Sequence, residues 1–150
     1  MAWPVVYLTR TEKFCAAHRL HSASLTDQQN KEIFGKCNNP NGHGHNYTVN
    51  VTIRGRVDAE TGMVMNMQDL KVTMAKLLER LDHKNLDKDI EYFKTVVSTT
   101  ENLTVYIWTE LRKTLPKPQL LFEVSLDETD NNHFRYRGEL ATDEADQQIS

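Results

Sequence analysis

From His45 to Ile53 the residues alternate without a break, with Tyr47, Val49, Val51 and Ile53 on one side and Asn46, Thr48, Asn50 and Thr52 on the other. Successive side chains of a strand point to opposite faces, so this segment predicts a strand with one apolar face that must be covered and one polar face that tolerates water. The cover is also written in the chain. Leu70, Met74, Leu77, Leu78 and Leu81 recur at helical spacing after Asn66, a good N-cap residue, with Asp69 placed to favour the positive end of the helix dipole. Ser98-Thr-Thr-Glu101 has the form of a capping box, and Leu103, Ile107, Leu111 and Leu115 line one face of the helix it would open, before Pro116 and Pro118 stop it.

The flanking segments complete the plan. Val5 to Cys15 is rich in β-branched and aromatic residues and predicts a first strand; Ser24 to Phe34 carries a short helix; Gly35 to Gly44, dense in Asn, Pro and Gly, predicts a loop. Val57 to Gly62 reads as a turn. Phe122, Val124 and Leu126 alternate with Glu123, Ser125 and Asp127, and Thr129 to Asn132 turns into a last strand, His133 to Arg137. The order strand, strand, helix, helix, strand, strand predicts an α+β fold, an antiparallel four-stranded sheet with two helices on one face. Such a sheet has free edges, and edge-to-edge oligomerisation into a barrel removes them.

A chain of 150 residues has the size of one domain. That domain is expected over 1–138, leaving 139–150, with Glu139, Asp143, Glu144 and Asp146, as a disordered acidic tail. The net charge of −3 and the lack of a basic run argue against nucleic acid as a partner. No apolar stretch approaches the roughly 20 residues of a bilayer span, and the start lacks a basic segment ahead of an apolar one, so a cytoplasmic protein without a membrane partner is expected. Cys15 and Cys37 are then expected to be reduced. The glycosylation sequons at Asn46, Asn50 and Asn102 fall in predicted strands and a helix start and read as coincidence.

The strongest chemical signal is Asn41-Gly-His43-Gly-His45, where two imidazoles two residues apart point to the same side of a strand. Alone, such a pair is as often held by ordinary hydrogen bonds as by a metal. His18, at the end of the first strand in Phe14-Cys-Ala-Ala-His-Arg-Leu20, adds a third imidazole. Three neutral imidazoles from adjacent strands would leave a tetrahedral zinc one open position, as in a catalytic site. His21, in a more polar stretch, is the competing third ligand. Cys37, just before the histidines, is either a fourth ligand that closes the site or a base beside a substrate. Asp82-His83 follows the first long helix; an Asp that orients a His can help draw a proton from a thiol, although a surface ion pair is the commoner arrangement. Glu128 continues the parity of Phe122, Val124 and Leu126, which puts a carboxylate on the apolar side. Either it lies just beyond the core, or paired N–H donors meet it, as the guanidine-like edge of a pterin or guanine ring would.

Phe34-Gly-Lys-Cys-Asn-Asn-Pro-Asn-Gly-His-Gly-His-Asn-Tyr47, Gly62-Met-Val-Met-Asn66, Leu81-Asp-His-Lys-Asn-Leu-Asp87, Val97-Ser-Thr-Thr-Glu-Asn102 and Glu128-Thr-Asp-Asn-Asn132 closely resemble the animal-type 6-pyruvoyltetrahydropterin synthases, from about Phe14 to Gly138. The resemblance implies a tunnelling fold whose trimers form a barrel and stack in pairs into a homohexamer. It implies a zinc-dependent carbon–oxygen lyase of tetrahydrobiopterin biosynthesis that converts 7,8-dihydroneopterin triphosphate to 6-pyruvoyltetrahydropterin with loss of triphosphate. By matching position it makes His18, His43 and His45 the zinc ligands and Cys37 the proton-abstracting thiol. Asp82 and His83 become a proton relay supplied by a neighbouring subunit, Glu128 the anchor of the pterin ring, and Thr99 and Thr100 part of that pocket. Triphosphate would be held by Lys or Arg side chains gathered across subunits. Cys15 stands where animal members tend to show serine, so regulation through that serine would be absent. Two other readings compete: the sister activity, 6-carboxytetrahydropterin synthase, from the same substrate, and a non-catalytic zinc-stabilised interaction module in which Cys37 joins the three histidines.

Overall fold

A computed structural model describes residues 2–142; of the expected acidic tail, 143–150 lie outside the described residues. The elements in chain order are β1 (Val5–His18), α1 (Asp27–Phe34), β2 (His43–Arg56), α2 (Met67–Glu79), β3 (Lys84–Asn85), α3 (Leu86–Asp89), α4 (Thr100–Thr114), β4 (Leu121–Thr129) and β5 (Asn132–Tyr136). They build an α+β fold on one sheet of order β3-β1-β2-β4-β5. β1 and β2 pair antiparallel along their whole length, from Val5 opposite Arg56 to His18 opposite His43. Among the described residues no helix is long and apolar enough to cross a membrane.

Alternation in β2 sorts the two faces as its sequence demands. Tyr47, Val49, Val51 and Ile53 are buried with Phe14 and Ala16 of β1 and Val124 and Leu126 of β4. Leu70, Met74 and Leu77 of α2 and Leu103, Ile107 and Leu111 of α4 close over them in the same cluster. Each fully buried side chain of this kind contributes about 1.5–3 kcal/mol, so the two helices are held by the sheet far more than by their own propensity. The helix-free face is polar: the hydroxyls of Thr9 and Thr52 lie 2.7 Å apart across the strands, and Arg54 Nε donates to the Tyr7 hydroxyl at 2.9 Å.

Three expectations need correction. The sheet has five strands and is mixed, because β3 runs parallel to β1, with Ala16 opposite Lys84 and Ala17 opposite Asn85. Two residues carry no alternation to read, and this segment is placed by contacts that precede it. The Cys15 N–H donates to Asp82 Oδ1 at 2.9 Å, and the His83 N–H donates to the Cys15 carbonyl at 2.7 Å. His83 has φ 60°, alone among the described non-glycine residues in the left-handed region, where a Cβ is disfavoured.

Second, Phe122 does not share the core face of Val124. A register shift opposite Thr52 and Ile53 gives Leu121 the place beside Ile53, and the Phe122 ring meets Tyr7 edge-on at 5.1 Å on the helix-free face. Third, Ser98 is not the cap of α4; Thr99 is, its hydroxyl accepting from the Asn102 N–H at 3.2 Å. Ser98 is fully buried, and its hydroxyl is spent on Asp87 Oδ1 at 2.6 Å. The expected first strand also runs on to His18, and β2 begins at His43 rather than His45. These extensions set the site.

Candidate active site

Antiparallel register places His18 directly across from His43, and His45 falls opposite Ala16, so the three side chains leave the sheet on its helix-covered face. Their ring centroids are 4.6, 5.2 and 4.9 Å apart, and one nitrogen from each lies within 4.8 Å of the others, a group that can hold a metal ion. His18 is fully buried. Its Nδ1 lies 2.6 Å from the Ser98 carbonyl, which can only accept, so Nδ1 carries the proton and Nε2 presents a lone pair.

The nitrogens that converge are short of partners. Nε2 of His18 and Nε2 of His45 are buried without a hydrogen bond. Leaving such a group unsatisfied costs about 1–3 kcal/mol, which a bound cation would offset. Burial lowers the pKa of His18 against the opposing hydrogen bond that its Nδ1 donates to the Ser98 carbonyl, and the neighbouring His43 and His45 lower it further. Burial also lowers His45, more than Glu128 raises it. Neutral, lone-pair-bearing imidazoles are the form in which histidine binds a divalent ion, so the donor set fits a metal.

Glu128 closes one side. Its Oε1 lies 3.4 Å from His45 Nε2 and accepts from the Thr100 hydroxyl at 2.8 Å. Parity with Val124 and Leu126 brings this carboxylate to the helix-covered face at the end of β4, and the start of α4 brings Thr100 to it, while Thr99 is occupied as the cap. Next to it the Tyr47 hydroxyl is buried without a hydrogen bond, and burial followed by the charge of Glu128 pushes its pKa well up, so it stays protonated. Sequence reasoning assigned Tyr47 to the core; the parity it shares with His45 was the available signal. Ser98 was missed as well. It links the site to the segment after β3, since Asp87 accepts both its hydroxyl and, at 2.7 Å, the Arg19 N–H.

The remaining expected residues are placed less simply. His21 is not part of the triad; its Nδ1 meets Asn38 Nδ2 at 3.0 Å. Cys37 sits half-buried in a 3-10 turn, Gly35–Asn38, whose Cys37 carbonyl accepts from the Leu20 N–H at 2.9 Å. Its thiol is gathered neither with the three histidines nor with Asp82 and His83. Asp82 Oδ2 lies 3.0 Å from His83 Nδ1, and the thiol beside that pair within the chain is Cys15. The Cys15 N–H, then His83, lower the pKa of the Asp82 carboxyl and hold it as the anion.

The site therefore offers neutral nitrogens for a cation and a carboxylate facing the same space, with both thiols of the described residues outside the histidine group. The family model for 6-pyruvoyl tetrahydropterin synthase matches residues 7–139. The chain is 58% identical over 136 residues to the 6-pyruvoyl tetrahydrobiopterin synthase of Drosophila melanogaster, covering 90% of this chain and 81% of that one. It is 56% identical over 133 residues to the 6-pyruvoyl tetrahydrobiopterin synthase of Homo sapiens, covering 88% and 91%. The solved structure of Caenorhabditis elegans 6-pyruvoyl tetrahydropterin synthase matches the fold with a TM-score of 0.91 at 49% identity, covering 93% of this chain and 99% of that chain.

Proposed function

The chain belongs to the 6-pyruvoyl tetrahydropterin synthase family and is a lyase of tetrahydrobiopterin synthesis, and we propose that it takes 7,8-dihydroneopterin triphosphate to 6-pyruvoyltetrahydropterin with zinc held by His18, His43 and His45. The observation that carries this reading is the meeting of two buried, unpartnered imidazole nitrogens with a third histidine and with Glu128 at 3.4 Å. His18, His43 and His45 would hold the zinc, which would supply Lewis-acid polarisation of the substrate's side-chain oxygens and so acidify the adjoining C–H groups.

Glu128 anchors the pterin. The Thr100 hydroxyl donates to Oε1 and holds the carboxylate in place, and the carboxylate accepts the paired N–H groups of the ring's guanidine-like edge. Cys37 acts as the base toward the side chain, and Asp82 and His83 carry its protons. Since Cys37 is not gathered with Asp82 and His83 within one chain, the pair serves the Cys37 of a neighbouring subunit, in a homohexamer of two stacked trimers. The fully buried Tyr47 hydroxyl keeps its proton under the influence of the Glu128 charge.

Zinc-loaded enzyme incubated with 7,8-dihydroneopterin triphosphate is expected to release triphosphate and a product with the mass of 6-pyruvoyltetrahydropterin. A 6-carboxytetrahydropterin product, or no turnover, would overturn the assignment. Glu128→Gln keeps the shape of the anchor and removes its charge. A charge-assisted contact at a buried site is worth roughly 2–5 kcal/mol, so KM should rise by at least about 30-fold while metal content stays at the wild-type level. An unchanged KM would remove Glu128 from substrate binding.

A further inference from the structure

Alternation along β1 sends His18 and Ala16 to one face of the sheet and Cys15 and Ala17 to the other. Cys15 lies opposite Asn46, and together with Ala17, Gly44 and the segment His83, Lys84 and Asn85 they line an open pocket of about 430 Å³. At its edge, one ligand atom each from Cys15 and His83, which line it, and from the adjoining Asp82 lies within 4.8 Å of the others. The chain holds them there by backbone contacts. The Cys15 N–H fixes Asp82 through Oδ1 and leaves Oδ2 facing the imidazole at 3.0 Å, and the His83 N–H is tied to the Cys15 carbonyl. No role of the proposed reaction uses this thiol.

We propose that Cys15, Asp82 and His83 form a second metal site, separate from the histidine triad, that takes a thiophilic divalent cation such as zinc or cobalt. A sulfur, an imidazole nitrogen and a carboxylate oxygen are the mixed donor set that such borderline-soft ions accept. Binding replaces the Cys15 S–H proton by the metal and releases that proton to solvent. Within its own chain the His83 ring is 80% exposed, so no neighbour in that chain blocks a nitrogen from turning to the ion. A functional consequence rests on the reaction proposed above: an ion held here withdraws Asp82 and His83 from proton transfer, so a second equivalent of metal inhibits.

The test is a cobalt titration of the metal-free full-length chain, read by the sulfur-to-cobalt charge-transfer absorption and by turnover. The wild type should bind two equivalents per chain, the first without the sulfur band and the second with it, and the second should lower turnover about a hundredfold. Cys15→Ser should bind one equivalent, show no band and escape the inhibition; its retained first equivalent reports that it is folded. Cys37→Ala should keep both equivalents and the band. A single equivalent in the wild type, a second equivalent that persists in Cys15→Ser, or a band lost in Cys37→Ala instead would overturn the site. A band that appears while turnover is undiminished would leave the site standing and overturn the assignment of Asp82 and His83 to proton transfer.

Discussion

Changing His43 to alanine should strip the protein of its triad-bound metal and of its turnover together. His43 sits across from His18 and contributes one of three converging nitrogens; with it gone, His18 and His45 leave only two protein donors for the ion. Losing the Lewis acid removes several kcal/mol of transition-state stabilisation, so turnover should fall on the order of a thousandfold or more. The fold should survive, because the apolar cluster between sheet and helices does not include His43. Elemental analysis of the change made in a Cys15→Ser background, loaded with one equivalent and washed, beside a turnover assay, checks the result. Metal retained at wild-type stoichiometry would show that the ion is held elsewhere.

Cys37→Ala should separate the two losses. A positioned general base contributes about 10²–10⁴-fold, so turnover should drop by that factor while the metal stays, since the Cys37 thiol is not gathered with the histidines. Metal lost with the thiol would mean a closed, four-ligand site of the structural kind. The same residue tests the subunit assignment. If the Cys37 of one subunit works with the His83 of another, mixed oligomers of Cys37→Ala and His83→Ala chains should regain part of the activity that each lacks alone, whereas a chain carrying both changes should regain none.

What the sequence made legible was whatever repeats or alternates within one element. The strict parity of β2 and the apolar spacing of α2 and α4 gave the core, its helix cover and the common side of His43 and His45. Parity fails at a bulge, where one extra residue shifts every later side chain; Phe122 was read straight through the irregularity beside Ile53 and landed on the wrong face. Ser98 and Thr99 are equivalent as caps by local chemistry, and only the burial of Ser98 against Asp87 and His18 decides between them. β3 left no pattern, because two residues are placed by a carboxylate and an N–H that grip β1 from outside the strand.

The site divides in the same way. Convergence of the histidines could be read from a hairpin of two strands, because register follows from alternation once the strands pair. Which thiol meets Asp82 and His83 could not, because that depends on contacts between segments far apart in the chain. Within one chain the neighbour of that pair is Cys15, which the alternation of β1 places on the face away from the histidines.

The most direct measurement is X-ray absorption at the zinc edge of Cys15→Ser protein carrying one equivalent of zinc. The first shell should hold only nitrogen and oxygen at about 2.0–2.1 Å, with three imidazoles and one exchangeable position that changes when the pterin substrate is added. A sulfur at about 2.3 Å, or a shell filled by four protein atoms and indifferent to substrate, would contradict the account.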